Sequence, residues 1–295
     1  FNVLSEKFSL KENALFQTEV NEVVWLADED LWLIKTNRQD SIKARYVIHA
    51  NGFLNRPKLP AMKGINDYTG HTFHTSRWDY DYTGGDSNGN LNNLKDKTVA
   101  IIGTGATAVQ CVPHLAAGAK KLYVFQRTPS SIDERNNTNT DIDWFKSQKD
   151  GWQDERRENF EGFLTGNFTS KDLVNDGWTE IFRTILGGLI KNGPPKLTIL
   201  GWVITAPFYK HFYKVGLREF IRNKFMKFVS REDINQKVEI VDFQKMEKVR
   251  ARADKLVKDP KTAESLKPYY RQLCKRPCFH DEYLQAFNND NVELI

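Results

Sequence analysis

At 295 residues the chain is long enough for a sizeable core and more than one domain, and 40% hydrophobic with 27% charged residues is an ordinary globular composition. An excess of 43 basic over 38 acidic side chains gives only +5, too small and too scattered to mark a nucleic-acid-binding protein. The three cysteines, Cys111, Cys274 and Cys278, make neither a zinc pattern nor a disulfide framework and fit thiols kept reduced in a cytoplasmic protein.

The first fifty residues read as strands: "ALFQTEVNEVVWLA", "LWLIKT" and "ARYVIHANG" are β-branched and aromatic runs between polar turns. Within the last of them, Tyr46-Val47-Ile48-His49-Ala50 is apolar enough to predict a buried central strand ending at Asn51-Gly52. The proline-punctuated "NRPKLPAMKG" then predicts a domain boundary near Pro57–Pro60. A second unit opens at "KDKTVAIIGTGATAVQCVPHLAAGAKKLYVFQRTP". Thr98–Ile102 reads as a buried strand, Gly103-Thr104-Gly105 as a tight turn and Ala106 as the start of a helix. Pro113 is expected to kink that helix or end its first part, and Lys121–Phe125 to form the next strand.

From about Asp141 to Lys267 the period becomes helical. Trp178, Ile181, Phe182, Ile185 and Leu189 fall on one face, as do Trp152, Arg156, Phe160 and Phe163, and both sets read as core. The longest apolar run, Leu197–Tyr209, is shorter than the roughly 20 residues a bilayer span needs and contains Pro207, so no integral membrane segment is expected. A short helix and a strand beginning near Asn291 close the chain. The opening at Phe1 without a signal-peptide pattern and the stop on an apolar "NVELI" suggest a central fragment of a longer protein.

Gly103-x-Gly105-x-x-Ala108 has the form of a dinucleotide-binding turn. The first glycine permits the turn, and the second lets the backbone approach a pyrophosphate. The small third residue lets helix pack on strand, and the helix N-terminus receives the negative charge. Alone the pattern is weak, but here it sits between a strand and a helix, the context that gives it weight. Where NAD-binding chains carry an acidic residue for the ribose hydroxyl, this one has Gln126-Arg127-Thr128, whose guanidinium and hydroxyl suit a 2′-phosphate and predict NADP. Gly85-Asp86-Ser87-Asn88-Gly89 matches the hydrolase elbow G-x-S-x-G, but its polar flanks make it a loop.

Taken together, "GTGATAVQ", "VFQRTP", "CKRP…NVELI" and "YTGHTFHTSRWDY" resemble the Baeyer–Villiger monooxygenases. Tyr68, Gly70, His74, Trp78 and Asp79 fill that family's F-x-G-x-x-x-H-x-x-x-W-[PD] fingerprint, with tyrosine in place of the leading phenylalanine. Asn51 stands where the family usually has threonine in an A-T-G segment. The resemblance implies an α/β flavoprotein with two dinucleotide-binding domains, in which NADPH reduces FAD and one oxygen atom of O2 enters a ketone to give an ester or lactone. It further implies that Gly103, Thr104, Gly105, Ala106, Thr107, Ala108, Gln110, Gln126, Arg127, Thr128 and Lys275 bind NADP. Arg276 would be the catalytic residue, reaching the flavin and stabilising developing negative charge. His74 would couple the domains through a hinge rather than move protons, and His71 reads as an exposed loop histidine. No metal site is expected.

The implied organisation is the end of an FAD-domain segment at 1–58, an interdomain linker with the fingerprint at 59–96 and a Rossmann-like NADP domain opening at 97–140. A helical insertion follows at 141–268 and a return segment of the NADP domain at 269–295. The chain shows no second G-x-G-x-x-G, so the main FAD-binding loop is expected outside it. Two alternatives stay open: a flavin monooxygenase oxygenating nitrogen or sulfur, disfavoured by Trp78-Asp79, and a non-catalytic NADP-binding module.

Overall fold

A computed structural model describes residues 2–52, 56–165, 171–183 and 231–295. It divides into two units, Phe1–Ser76 and Arg77–Ile295. The division lies within the stretch 59–96 and some way past Pro57–Pro60.

The first unit holds a short helix α1 (Asn2–Lys7) and an antiparallel sheet of β1 (Val20–Leu26), β2 (Leu31–Thr36) and β3 (Ser41–Ala44), paired in that order. Asp30 and Gln39 take left-handed backbone at φ 53° and 62°, as tight connections between twisted antiparallel strands require. Cross-strand pairs set the register. Trp25 faces Trp32 edge-on with ring centres 5.1 Å apart, and Lys35 pairs with Glu22 at 2.8 Å. The expected strand at Tyr46–Ala50 does not form: Tyr46 and Ile48 are 84% and 89% exposed. Apolar content alone makes no strand, because the backbone also needs a neighbour for its N–H and C=O groups, and no strand among the described residues pairs with it. The first predicted strand likewise starts only at Val20, leaving its front part, 14–19, outside.

The second unit is built on a parallel sheet of β4 (Thr98–Ile102), β5 (Lys121–Phe125) and a later strand β8 (Val292–Leu294), in that order. Helix α3 (Ala106–Gly118) makes the β4–β5 crossover. Pro113 does not end it; the helix runs on to Gly118. An internal proline costs about 3 kcal/mol, whereas Val112, Leu115 and Ala116 around it are all buried, each large side chain contributing about 2 kcal/mol. Packing wins. No residue pattern announces β6 (Ile132–Asp133), which pairs in parallel with β7 (Cys278–Phe279).

The helical stretch contains α4 (Ile142–Lys146), α5 (Trp152–Thr165), residues 177–183, α6 (Arg231–Leu256) and α7 (Pro260–Ser265), and α8 (Tyr283–Ala286) precedes β8. Phe163 and Ile181 are buried as their spacing predicted, and Trp152, Phe160, Trp178 and Phe182 are half-buried. Ile185, Leu189 and the run Leu197–Tyr209 lie outside the described residues. One core joins Ile101, Val109, Val112, Leu122 and Val124 of the crossover to Ala253 and Leu284 of the later helices and to Val257 just past α6.

Lys245, only 5% exposed, projects from α6 and pairs with Asp133 of β6 at 2.5 Å and with Glu180. Burial works against its charge, but the hydrogen bonds from Asp133 and Glu180 outweigh it and hold the pKa above its ordinary value. The ammonium therefore stays charged and ties three segments together. Lys245→Met should cost about 3 kcal/mol, because two partly buried carboxylates lose their cation. Chemical denaturation reads this directly, and a loss near zero would show that water serves the carboxylates as well.

Candidate functional site

The site begins at the carboxyl end of the parallel sheet, where α/β folds bind ligands. Gly103 follows β4 with φ 100°, a backbone state that strains any other residue, and its N–H donates to Phe125 O at 2.8 Å. Gly105 is the N-cap of α3 and offers no side-chain acceptor to the first-turn amides. A Cβ placed on either glycine would meet no atom within 4 Å, so the space before the turn is open. Open space, uncapped amides and the positive end of a helix dipole together suit a pyrophosphate. Ala108 is buried against the sheet, while Thr107 and Gln110 are exposed on the outer face of the helix.

Three loops are laced around this turn. The buried Thr104 hydroxyl donates to Thr128 O at 2.9 Å, and the Ser130 hydroxyl donates to Thr104 O. The side chain and carbonyl of Thr104 are thereby committed to the scaffold, leaving its backbone N–H for a ligand. Gln126 donates its backbone N–H to Ile295 O at 2.8 Å and its side-chain amide to Ser265 O at 2.7 Å, while its Oε1 is buried without a partner. Arg127 is exposed, and no carboxylate among the described residues pairs with it.

The third loop carries the return segment. Tyr270 Oη donates to Pro129 O and accepts from the Ser131 N–H, both at 2.9 Å. Burial raises its pKa, keeping the phenol protonated for that donation. Buried Gln272 donates its backbone N–H to Asp242 Oδ1 at 2.9 Å and accepts from Ser131 Oγ at 3.4 Å. Lys275 then lies with Nζ 5.6 Å from the centre of the Tyr270 ring. So Arg127 and Thr128 share one neighbourhood with Lys275, joined by residues that local sequence patterns did not single out: Tyr270, Ser130 and Ser131.

Arg276 is exposed, with its carbonyl accepting from Cys278 Sγ at 3.7 Å. Burial pushes the Cys278 thiol up, the Arg276 charge opposing it only in part, and burial alone raises Cys111. Neither is a ready nucleophile. Beside them His280 donates its N–H to Asp133 O at 3.0 Å, and its Nδ1 accepts the amides of Glu282 and Tyr283 at 3.1 Å each. Burial holds the ring below the ordinary 6.5; Glu282 and Asp281 oppose this while His114 and Arg252 assist it. The folded state binds that proton less well than the unfolded chain. Stability should therefore be full above about pH 6.5 and fall as the pH drops through the folded-state value. His280→Asn keeps an acceptor that does not titrate, so its denaturation midpoint should vary less between about pH 7 and pH 5. An identical slope would place the acid sensitivity elsewhere.

The fingerprint residues fall on both sides of the unit division. In the first unit Tyr68 lies over Gly70 so closely that a Cβ there would strike its ring. His74 Nδ1 is 2.8 Å from Ser76 Oγ and accepts the Ser76 N–H at 3.2 Å; His71 is exposed, 5.9 Å from the Phe73 ring. In the second unit Asp79 caps α2 (Tyr80–Thr83) by accepting from the Tyr82 N–H at 2.9 Å. Trp78 Nε1 donates to the buried Thr83 hydroxyl at 3.0 Å. The stretch Gly85–Gly89 is a turn closed by an Asp86–Gly89 bridge, not a nucleophile elbow. Among the described residues no helix is long and apolar enough to cross a membrane, and no cluster of His, Cys, Asp and Glu could hold a metal.

No family model matches the chain. It is 49% identical over 292 residues to the Baeyer-Villiger monooxygenase ATR8 of Stachybotrys chlorohalonatus, covering 99% of this chain and 42% of that protein. A solved structure of the polycyclic ketone monooxygenase from the thermophilic fungus Thermothelomyces thermophila superimposes with a TM-score of 0.71 at 38% identity, over 99% of this chain and 44% of that one. OTEMO in complex with FAD and NADP shares the fold at a TM-score of 0.54 and 23% identity, over 100% of this chain and 49% of that one. The chain thus spans about two-fifths of the length of the curated relatives it matches.

Proposed function

We propose, from a sequence similar over nearly its whole length to Baeyer–Villiger monooxygenases and a fold shared with two-dinucleotide flavoprotein monooxygenases, that the chain is the NADP-handling middle of such an enzyme. The whole protein would use NADPH, FAD and O2 to convert a ketone into an ester or lactone. The observation that carries this reading is the open glycine turn on an uncapped helix, laced to a basic return segment.

In that enzyme the amides of Ala106, Thr107 and Ala108 would receive the NADP pyrophosphate, with Gly103 and Gly105 keeping the approach clear. Gln110 would border it from the helix face. Arg127, Thr128 and Lys275 would hold the 2′-phosphate, and Gln126 would border the adenosine side. When bound, NADPH supplies a hydride and FAD relays electrons to oxygen. Arg276 would place a permanent planar cation where oxygen insertion builds negative charge. The 59–96 stretch would link the FAD segment at 1–58 to the NADP domain at 97–140 and 269–295, with 141–268 as the helical insertion. The FAD pyrophosphate loop is assigned to the remainder of the longer protein, since this chain has one glycine-rich dinucleotide turn. Three free thiols fit a reducing cytoplasm.

The test uses the full-length protein with NADPH, a panel of ketones and 18O2. Esters carrying one 18O from the gas are expected. Amine oxides or sulfoxides with no ester from any ketone would favour the nitrogen- and sulfur-oxygenating alternative instead.

A further inference from the structure

We infer that Tyr270 is a positioning residue for NADP selectivity, its ring presenting Lys275 and its hydroxyl fixing the loop that follows Thr128. The inference rests on the NADP reading above and adds to it a residue outside the set assigned to the nucleotide.

Three observations carry it. Lys275 is exposed on a flexible four-carbon stem, and its one described contact is with the face of Tyr270, 5.6 Å from the ring centre. An ammonium free to wander delivers little selectivity, because ordering it costs side-chain entropy at the moment of binding. A π-face that restrains it beforehand removes part of that cost. The opposite end of the same ring is not free to move: Oη bonds Pro129 O and the Ser131 N–H, which span the residues directly after Arg127 and Thr128. One side chain therefore ties the loop after Thr128 to the segment that carries Lys275, through partners 139 and 141 residues away in sequence. Neighbouring Tyr269 is 72% exposed and offers no such platform.

The probe pair is 2′,5′-ADP and 5′-AMP, which differ by the 2′-phosphate alone, with dissociation constants measured calorimetrically on the full-length protein. Tyr270→Leu should lower the preference for 2′,5′-ADP about threefold, the scale of one exposed cation–π contact. Tyr270→Phe keeps the ring and should retain most of that preference. In a Lys275→Met background the difference between Tyr270→Phe and Tyr270→Leu should vanish, since the ring acts through that cation. Tyr270→Met fills similar space without a π-face and replaces the leucine variant if that one does not fold. A merely structural tyrosine would weaken both nucleotides equally and leave the ratio unchanged, which overturns the inference. Persistence of that Phe-to-Leu difference in the Lys275→Met protein overturns it as well. Arg127→Ala is the control: a ratio unmoved there removes the NADP reading, and this inference with it. A ratio lowered by Arg127→Ala but untouched at Tyr270 sinks the inference alone.

Discussion

Arg276→Ala in the full-length protein is expected to abolish ester formation while NADPH consumption remains measurable. Among the described residues no carboxylate neutralises Arg276, so its charge is available to a reacting centre. Oxygen insertion into a ketone places negative charge on oxygen twice, before and after attack on the carbonyl carbon. A fixed guanidinium stabilises both without rearranging, and loss of one such donor typically costs about 3–4 kcal/mol, a factor of hundreds in rate. Hydride delivery from NADPH does not require that stabilisation, although looser nicotinamide positioning should slow it. Arg276→Lys should not rescue the product, because an ammonium lacks the planar fork and reaches differently. The measurement pairs NADPH consumption with ester yield on one ketone; ester at the parental rate would remove Arg276 from the chemistry.

Arg127→Ala should lower the preference for NADPH over NADH roughly thirtyfold. A charge-assisted hydrogen bond to phosphate contributes about 2 kcal/mol, and here the guanidinium has no competing carboxylate among the described residues. The loop that carries it is held by the Thr104 and Tyr270 bonds, neither of which involves the Arg127 side chain, so folding should be little affected. Dissociation constants for the two cofactors decide it. Equal weakening of both would mean that Arg127 does not read the phosphate.

The crossover unit was legible in the sequence because its signals are local. Thr98–Ile102 and Lys121–Phe125 are short apolar runs on either side of the glycine turn and its helix, and the structure ends both strands where the sequence does, although of the first only Ile101 is buried rather than the whole strand. Tyr46–Ala50 failed because apolar content records what a strand could bury and says nothing of whether a neighbour pairs with it. Pro113 does not end its helix, because the local penalty is offset by the packing around it. The residues that lace the loops left no local trace. Tyr270, Ser130 and Ser131 sit in no recognisable motif, and their partners lie more than a hundred residues off except for the bond from Ser130 to Thr104. Thr104 reads as a variable position within a glycine motif, yet its hydroxyl is buried and bonded. Such a role becomes visible only when the partner carbonyl, Thr128 O, has a position.

The bonds from Tyr270 to Pro129 and Ser131 also bear on how the site comes into being. They close a chain loop of about 140 residues, so the proposed nucleotide pocket cannot be completed until the return segment has arrived. Long-range closures of this kind slow folding, and the helices between are expected to form before the pocket does. The thermodynamic side is gentler. Closure entropy grows with the logarithm of loop length, and doubling the intervening stretch costs only about 0.6 kcal/mol. The segment between the Arg127 loop and the return segment can therefore lengthen or shorten at little expense to the proposed pocket, provided the Tyr270 clamp still finds its two backbone partners.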